Sequence, residues 1–352
     1  DSSIVESCEY EGSPTTPLAD LPDLPDLARC TVVWQDLGDM RLKLAVTDAE
    51  SAKDGAVAAR LTAAIEALPQ EIAALVNHVG DAEDADWQLL AVEPDEARSR
   101  FGLQLQGSTA LLIKAGEGSG PGTANDAKQS VVMRRVFGQY PVDTPNAMAQ
   151  RIQVDLQKLF SWQNTWRIAG LAAGERLRTD NSTLKLEVSR VGDSSLSEDN
   201  GSPGRTCFVP GDDLRVRIVN DGTQDLWVTL LYLDANFGIA VWFSEALKAG
   251  NSFTDGGTVD GSSSGPEGFI VLAVPVRSQK SQPAYEFLEQ EGLGVITRDV
   301  RRLPTRALNP FEQLMSAAAF GKGRHRGLRR KVSSTPQILS WSWVTLPVAN
   351  PD

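Results

Sequence analysis

The strongest constraint on the fold is the dense pattern of strand and turn residues in 208–243, FVPGDDLRVRIVNDGTQDLWVTLLYLDANFGIAVWF. Apolar and charged residues alternate over 213–218, which predicts a strand with one buried face and one solvated face. The apolar run 226–233 predicts a central strand, and 238–243 predicts a third. Because Asn-Asp-Gly and Asp-Ala-Asn separate these strands, the stretch predicts a three-strand antiparallel meander.

The chain is long enough for two ordinary hydrophobic cores. It has 352 residues, of which 41% are hydrophobic and 23% charged, as in a folded protein. We predict an α+β fold with an extended proline-rich arm at 1–30, an α+β domain at 31–174 and a β-rich, antiparallel sandwich-like domain at 175–352 with one or two helices.

Periodicity places the elements of the first domain. Apolar residues at helical spacing predict one helix up to Pro69 and a second, short helix over 72–79. Thr144 and Pro145 form a helix start, and we expect that helix to reach about Trp166 and to end at Gly170 or Gly174. The predicted strands lie within 31–46, 87–91, 101–105, 110–114 and 131–137.

The second domain contains further strands and one helix. Alternation predicts a strand at 184–188, and the Gly- and Ser-rich stretch 252–268 predicts a loop before a buried strand at 269–276. A capping residue and a first-turn proline predict a helix over 310–320. A last strand at 338–348 carries two tryptophans that we expect to close a core face.

Charge and cysteine content limit the functional classes. The net charge of −12 disfavours nucleic acid as a partner of the whole molecule, since phosphate binding needs clustered cations. Three cysteines are too few for a disulfide framework, so we expect a reducing, cytoplasmic compartment. No long apolar run is present, and we predict neither a membrane span nor a signal peptide.

Candidates for nucleophilic catalysis are few. The histidines are His78 and His325, and a Cys-His dyad would pair one of them with Cys8, Cys30 or Cys207. We interpret Cys8 as a thiol of the arm, Cys207 as a core residue and His78 as a helix-end residue. No catalytic residue is therefore assigned within this chain.

Two clusters of charged residues were considered as binding sites. The carboxylates of Asp255, Asp260 and Glu267 do not follow the EF-hand spacing, so we interpret them as parts of a solvated loop and predict no metal and no cofactor. A basic tract near the end of the chain is a candidate site for an acidic partner or for the protein's own acidic surface. It consists of Lys322, Arg324, His325, Arg326, Arg329, Arg330 and Lys331.

Several segments carry a resemblance to a known family. In the second half these are 209–214, 230–234, 238, 241–243, 248–251 and 266–269, and elsewhere 84–87, 159–164, 323–327 and 341–343. Together they resemble the non-catalytic C-terminal region of bacterial caspase-like cysteine peptidases of the orthocaspase or metacaspase type. That region includes the β-rich domain of unknown function that follows the peptidase domain.

The resemblance implies a function for the chain. The family's catalytic histidine and cysteine belong to a caspase-like domain that this sequence does not contain. The chain would be an accessory portion, left after processing at Asp1, that positions substrate or gates activation of its catalytic partner. The alternative is a stand-alone binding or regulatory protein, such as a peptidase inhibitor, substrate or partner in a bacterial signalling or defence pathway. A weaker alternative is a surface carbohydrate- or protein-binding β-domain.

Overall fold

A computed structural model describes most of the chain. The described residues are 40–48, 56–115, 135–176, 183–192, 206–260, 264–276, 282–294, 308, 310–321 and 337–345. The helices are α1 (Ala56–Glu66), α2 (Gln70–Ala73), α3 (Pro94–Phe101), α4 (Pro145–Arg176) and α5 (Pro310–Phe320), with a short 3-10 helix at Glu286–Leu288. The strands are β1 (Leu42–Asp48), β2 (Val76–Val79), β3 (Trp87–Val92), β4 (Thr109–Lys114), β5 (Val136–Pro141), β6 (Leu184–Arg190), β7 (Thr206–Phe208), β8 (Asp213–Asn220), β9 (Leu226–Leu233), β10 (Ile239–Leu247), β11 (Ser252–Thr258), β12 (Gly265–Pro275) and β13 (Gln337–Thr345).

The first half of the chain forms a mixed five-stranded sheet in the order β2-β1-β3-β4-β5. β1 pairs in parallel with both β2 and β3, whereas β4 is antiparallel to β3 and β5. Helices α1, α2 and the first part of α4 cover one face, where Leu44, Leu61 and Leu156 share a core. On the other face, α3 packs Ala97 and Phe101 against Leu111.

The second half forms a β-sandwich. One sheet has the order β10-β9-β12-β13-β7 and the other the order β11-β8-β6. Between them lies a core that includes Val216, Leu230, Phe269 and Trp343, the last only 2% exposed. The prediction of an α+β chain with a β-rich second part is confirmed.

Helix α4 contributes to the cores of both halves. Its first turns contribute Ile152 and Leu156 to the core of the mixed sheet. Its later turns contribute Ile168 and Ala169 to a second core, which lies against the outer face of the larger sandwich sheet and includes Met315 of α5. The helix continues through Gly170 to Arg176, so of the two predicted ends Gly170 is wrong, whereas Gly174 lies two residues before the observed end. The boundary proposed at residue 174 falls inside α4 and stays a prediction.

The predicted three-strand meander is wrong. The predicted strands exist, but β8 pairs with β6 and β11, whereas β9 pairs with β10 and β12. The connection 221–225 therefore crosses between the two sheets. Leu214 and Val216 of β8 bury their side chains against β9 from the opposite side of the core, and this face-to-face burial replaces the edge-to-edge pairing we expected.

The predicted loop at 252–268 is also wrong in its first half. Residues 252–258 form β11, which pairs with β8 from Ser252↔Val219 to Thr258↔Asp213. The glycines that favoured a loop serve close packing instead. A Cβ on Gly257 would lie 3.1 Å from the Trp242 ring, and one on Gly256 would lie 2.6 Å from the Leu214 carbonyl oxygen.

Two elements of the first half differ from their predictions. The second helix stops at Ala73, and Val76–Val79 forms β2, because its β-branched residues pair with β1 instead of continuing the helical spacing. The predicted strand at 101–105 does not form. Residues 94–101 form α3, which begins with Pro94 and ends at Phe101. Gly102 caps its C-terminus with a left-handed φ of 66°.

Candidate functional site

The turn between β9 and β10 joins the two halves of the molecule. Asp234 Oδ1 accepts hydrogen bonds from the backbone N–H of Asn236 and of Gly238, both at 2.7 Å. This arrangement stabilises a tight turn in which Phe237 takes a φ of 68°. A positive φ at a bulky residue is unfavourable, so its surroundings must compensate.

Phe237 inserts into an aromatic cluster on the mixed-sheet side. Its ring makes edge-to-face contacts with Trp87 at 5.2 Å, Phe137 at 5.1 Å and Trp162 at 4.9 Å between centroids. Phe237 is only 4% exposed although the turn that carries it connects two strands of the sandwich. Edge-to-face pairs add about 0.5–1.5 kcal/mol beyond area burial, which offsets the unfavourable backbone conformation.

Polar contacts from Arg135 and from Trp162 hold the same turn. Arg135 Nη2 donates to the Ala235 carbonyl at 3.0 Å and to Asn236 Oδ1 at 2.7 Å, with its guanidinium 4.8 Å from the Phe137 ring centroid. Trp162 Nε1 of α4 donates to the Asp234 carbonyl at 3.2 Å. The turn therefore forms a joint of fixed geometry between the two halves, here called the β9–β10 joint.

A cavity opens beside the β9–β10 joint, at one end of the sandwich. Its volume is about 260 Å³. It reaches the surface, because Thr258 and Asp260 are exposed. The lining residues are Leu214, Tyr232, Asp234, Asn236, Trp242, Gly257, Thr258, Val259, Asp260 and Glu267.

The aromatic walls of this cavity have fixed orientations. The Trp242 ring lies 5.8 Å from Tyr232 at an interplanar angle of 89°, and 5.4 Å from Phe269 at 76°. Its Nε1 donates to Asp255 Oδ2 at 2.7 Å. The Tyr232 hydroxyl donates to Glu267 Oε2 at 2.9 Å. Both rings are thus held by packing and by a hydrogen bond, which makes the cavity preformed.

The cavity is electrostatically negative. The pKa of Tyr232 is raised well above its ordinary value, first by burial and then by the negative charges of Glu267, Asp234 and Asp260. Glu267 is itself only 4% exposed.

The residues considered for nucleophilic catalysis are not brought together. Cys207 is exposed on β7 while Phe208 is buried, so its interpretation as a core residue is wrong; alternation on an edge strand turns the thiol outward. His78 is exposed on the edge strand β2 and not at a helix end, which is a second correction. Cys8, Cys30 and His325 lie outside the described residues, as does the whole basic tract.

The acidic stretch considered for calcium is part of a strand. Asp255 lies within β11 and accepts a hydrogen bond from Trp242, so it belongs to a regular sheet and not to a solvated loop. Among the residues that the structure describes, no group of three or more His, Cys, Asp or Glu side chains is placed to hold a metal ion.

The β9–β10 joint and the cavity were not predicted from sequence. Asp234-Ala235-Asn236 was recognised as a turn, but nothing in a single sequence indicates that Phe237 packs against residues more than seventy positions away. Tyr232 occupies an ordinary strand position, whereas Trp242 lies at a register shift in the β9–β10 pairing, between Val241 and Phe243. The crossing of β8 to the other sheet then creates the cavity between them and Val259.

Comparisons with known proteins give no assignment. No protein-family model matches the chain, and the curated proteins contain no match to it. Within the described part of the chain, every helix is too short or too polar to cross a bilayer.

Proposed function

We propose that this chain is a non-catalytic accessory portion of a bacterial caspase-like cysteine peptidase. In this role it positions substrate or gates activation of a catalytic domain outside the chain, in the cytoplasm. The observation that carries the proposal is the β9–β10 joint. It holds two hydrophobic cores in one fixed arrangement, as a scaffold for another domain requires.

Three further features support an accessory role over an enzymatic one. The described residues bring no cysteine and histidine together, and they place His78 and Cys207 on edge strands of different sheets. Three of the segments that resemble the peptidase family, 230–234, 241–243 and 266–269, fall largely on β9, β10 and β12, which are neighbours in one sheet. The preformed cavity lies at the end of that same sheet and offers binding without a nucleophile.

The test starts from the protein as isolated from its native host. Intact-mass analysis of the purified material should reveal a second chain that carries a caspase-like cysteine and histidine. Adding the present chain to that catalytic chain should change the rate at which the catalytic chain cleaves peptides. A lone chain that neither co-purifies with a peptidase nor alters its activity would contradict the proposal and favour a stand-alone binding protein.

A second measurement addresses catalysis within the chain. The purified chain alone should leave peptides ending in Arg, Lys or Asp uncut, because no cysteine and histidine meet among the described residues. Cleavage that Cys8→Ala abolishes would place the active site in the N-terminal arm and overturn the accessory role. The Cys207→Ala variant serves as the matched control.

A further inference from the structure

Strand β11 forms an open edge of the sandwich. It is the last strand of the sheet β11-β8-β6, and within the described part of the chain it pairs with β8 alone. Its pairs with β8, from Ser252↔Val219 to Thr258↔Asp213, run without a register shift. An unpaired strand edge presents a row of backbone donors and acceptors to which a further strand can bind.

The hydrogen bonds at the two ends of β11 show which backbone groups point away from β8. The Val259 N–H donates to the Asp212 carbonyl at 2.8 Å, and the Asn251 carbonyl accepts from the Asn220 N–H at 2.9 Å. Because the direction of hydrogen bonding alternates along an antiparallel strand, the odd-numbered residues of 251–259 bond to β8. The backbone groups of the even-numbered residues therefore face outward.

The outward-facing residues are Ser252, Thr254, Gly256 and Thr258. The Gly256 N–H donates to Asp255 Oδ1 at 2.8 Å. The other three N–H groups make no hydrogen bond with the described residues. With the four carbonyl groups of the same residues, they form an edge to which a strand can bind over the whole length of β11.

The other terminal strands of the three sheets have features that hinder such pairing. β2 has four residues and β7 has three. The pairings of β5 and β10 each contain a register shift; β5 ends at Pro141, and β10 forms a bridge to Gln290. Three charged residues lie on β6. Short strands, bulges, proline and charges protect sheet edges, whereas β11 has one charge, Asp255, whose carboxylate already accepts from Gly256 and Trp242.

The outer face of the sheet carries a positive charge beside this edge. Arg215 is exposed on β8, directly opposite Gly256, and makes no ion pair with the described residues. By contrast, Arg217 pairs with Glu187 at 3.1 Å. Because Gly256 has no side chain, a shallow recess of about 310 Å³ lies here, with Arg215 and Thr254 among its lining residues.

The inner side of the same edge is apolar. Phe253 of β11 stacks on Phe243 of β10, with 3.9 Å between the ring centroids. Both residues and Trp242 are half-buried. Side chains alternate between the two faces of a sheet, so a strand added to β11 would direct every second side chain towards these rings and the others towards Arg215.

We propose that β11 binds an extended segment of another polypeptide as an added antiparallel strand, with apolar inner residues and an acidic residue opposite Gly256 that pairs with Arg215. Neighbouring strands lie about 4.8 Å apart, so the acidic residue is about 10 Å from the Arg215 backbone, a gap that a glutamate and an arginine side chain span together. Main-chain hydrogen bonds supply affinity in this mode, and the alternating side chains supply specificity.

Two considerations define the partner further. A second copy of β11 would present only serine, threonine and glycine on its outer face, so it brings no counter-charge for Arg215. A different sequence is therefore the better match. The inference does not rest on the accessory role, because a stand-alone protein with this edge would bind the same kind of segment.

The test titrates the full chain with a nine-residue peptide, acetyl-Thr-Val-Thr-Val-Glu-Val-Thr-Val-Thr-amide. In the proposed pairing, the glutamate and the threonines direct their backbone groups towards β11. N-methylation of the fourth and sixth residues blocks the opposite edge of the peptide, which prevents self-association and should leave binding intact. N-methylation of the third and seventh residues blocks the edge that faces β11 and should abolish binding.

Hydrogen exchange followed by NMR measures the edge directly. The amides of Ser252, Thr254 and Thr258 should exchange rapidly in the chain alone, because they have no acceptor. The peptide methylated at its fourth and sixth residues should slow their exchange by about tenfold or more at saturation. The peptide methylated at its third and seventh residues should leave their exchange unchanged.

Variants of the chain test the charge and the backbone contact. Arg215→Gln should weaken binding by about two- to fivefold, as for an exposed ion pair. A peptide with glutamine in place of glutamate should bind the native protein and this variant equally. Arg98→Gln removes an exposed cation from α3 in the other half and should not change binding. Thr254→Pro removes an outward N–H without breaking a bond to β8, and should abolish binding.

Four results would overturn the proposal. Equal binding of the two methylated peptides, or binding of neither, would show that β11 does not accept a strand. Equal affinity of the native chain for the glutamate and glutamine peptides would exclude the pairing with Arg215. Slow exchange of the three amides in the dilute chain alone would show that the chain covers its own edge. Slow exchange that appears only as the chain is concentrated would identify a second copy as the occupant.

Discussion

At the residue scale, the clearest departure from ordinary chemistry is a buried carboxyl in α4. Asp155 is 4% exposed and accepts a hydrogen bond from the Tyr140 hydroxyl at 2.8 Å. Lys158, one turn later, is equally buried and donates to the Gly292 carbonyl at 2.8 Å. Burial raises the pKa of Asp155 despite the opposing effects of Tyr140, the Gly294 backbone N–H and the Lys158 charge.

The raised pKa of Asp155 predicts how this residue changes stability with pH. A carboxyl with a higher pKa in the folded state holds its proton more tightly there than in the unfolded chain. Its stabilising contribution is therefore present at low pH and is lost as the pH rises from about 3.9, the unfolded pKa, through the raised folded value. This change of stability with pH is opposite in direction to the change that an ion-paired surface carboxylate causes.

Asp155→Asn isolates this effect. The difference in unfolding free energy, native protein minus variant, should decrease as the pH rises across that window, because only the native protein must ionise a buried group. Urea unfolding at a series of pH values measures it. Asp221→Asn, at an exposed carboxylate paired with Lys185, is the control and should not reproduce the decrease. A difference that grows with pH would contradict the assignment.

At the element scale, helix α4 and strand β12 contain glycines with opposite roles. Gly170 lies in α4, is exposed, and has no atom within 4 Å of a Cβ placed on it. Gly268 lies in β12, where an added Cβ would collide with the Trp341 carbonyl and would lie 2.6 Å from Trp166. The first glycine costs backbone entropy without a packing benefit, whereas the second permits β13 and α4 to approach β12 closely.

The two alanine substitutions should therefore have opposite signs. Gly170→Ala should raise the unfolding free energy by about 0.5–1 kcal/mol, because it reduces the entropy of the unfolded chain. Gly268→Ala should lower it by about 1–3 kcal/mol through overpacking. Chemical unfolding followed by circular dichroism compares them directly. A destabilised Gly170→Ala would mean that α4 ends at this residue, which is one of the two ends that the sequence predicts.

At the scale of the whole molecule, one helix and one turn connect the two halves. Helix α4 packs on both cores. The ring of Phe237, from the turn between two sandwich strands, lies in the aromatic cluster of the mixed sheet. Further contacts run from Lys158 to Gly292 and from Gln290 to the Lys158 carbonyl. With these connections intact, we expect the two halves to unfold as one cooperative unit.

Phe237→Ala should uncouple the halves. Loss of the ring should lower the unfolding free energy by about 3–5 kcal/mol, because its packing at the joint is lost. Hydrogen exchange should then show β3 and β4 opening at a different free energy from β9 and β12, whereas the native protein shows one common value. Phe253→Ala is the control, because it removes a stacked ring from the sandwich and leaves the joint intact. Coincident opening in Phe237→Ala would mean that α4 alone provides the coupling.

The sequence alone was sufficient wherever a signal was local. Alternation identified β6 and β8, an apolar run identified β9, and the turn after it placed β10. A first-turn proline and cap identified the starts of α4 and α5, and the α+β class followed from the order of these elements. A local signal was misleading where the same pattern is typical of two kinds of secondary structure. Gly256 and Gly257 are as typical of a loop as of a strand against which a tryptophan packs, and the β-branched valines of 76–79 happened to continue a helical spacing.

Tertiary structure decided which strands are neighbours and where the site lies. Residues 213–220 form the same alternating strand in either sheet, because alternation defines a buried face and not the partner that covers it. Contact between Leu214 and the β9 face across the core placed β8 opposite β9 and left the cavity between Trp242 and Val259. Phe237 takes its left-handed conformation because Trp87, Phe137 and Trp162 surround it, and that compensation exists only after the two halves have packed together.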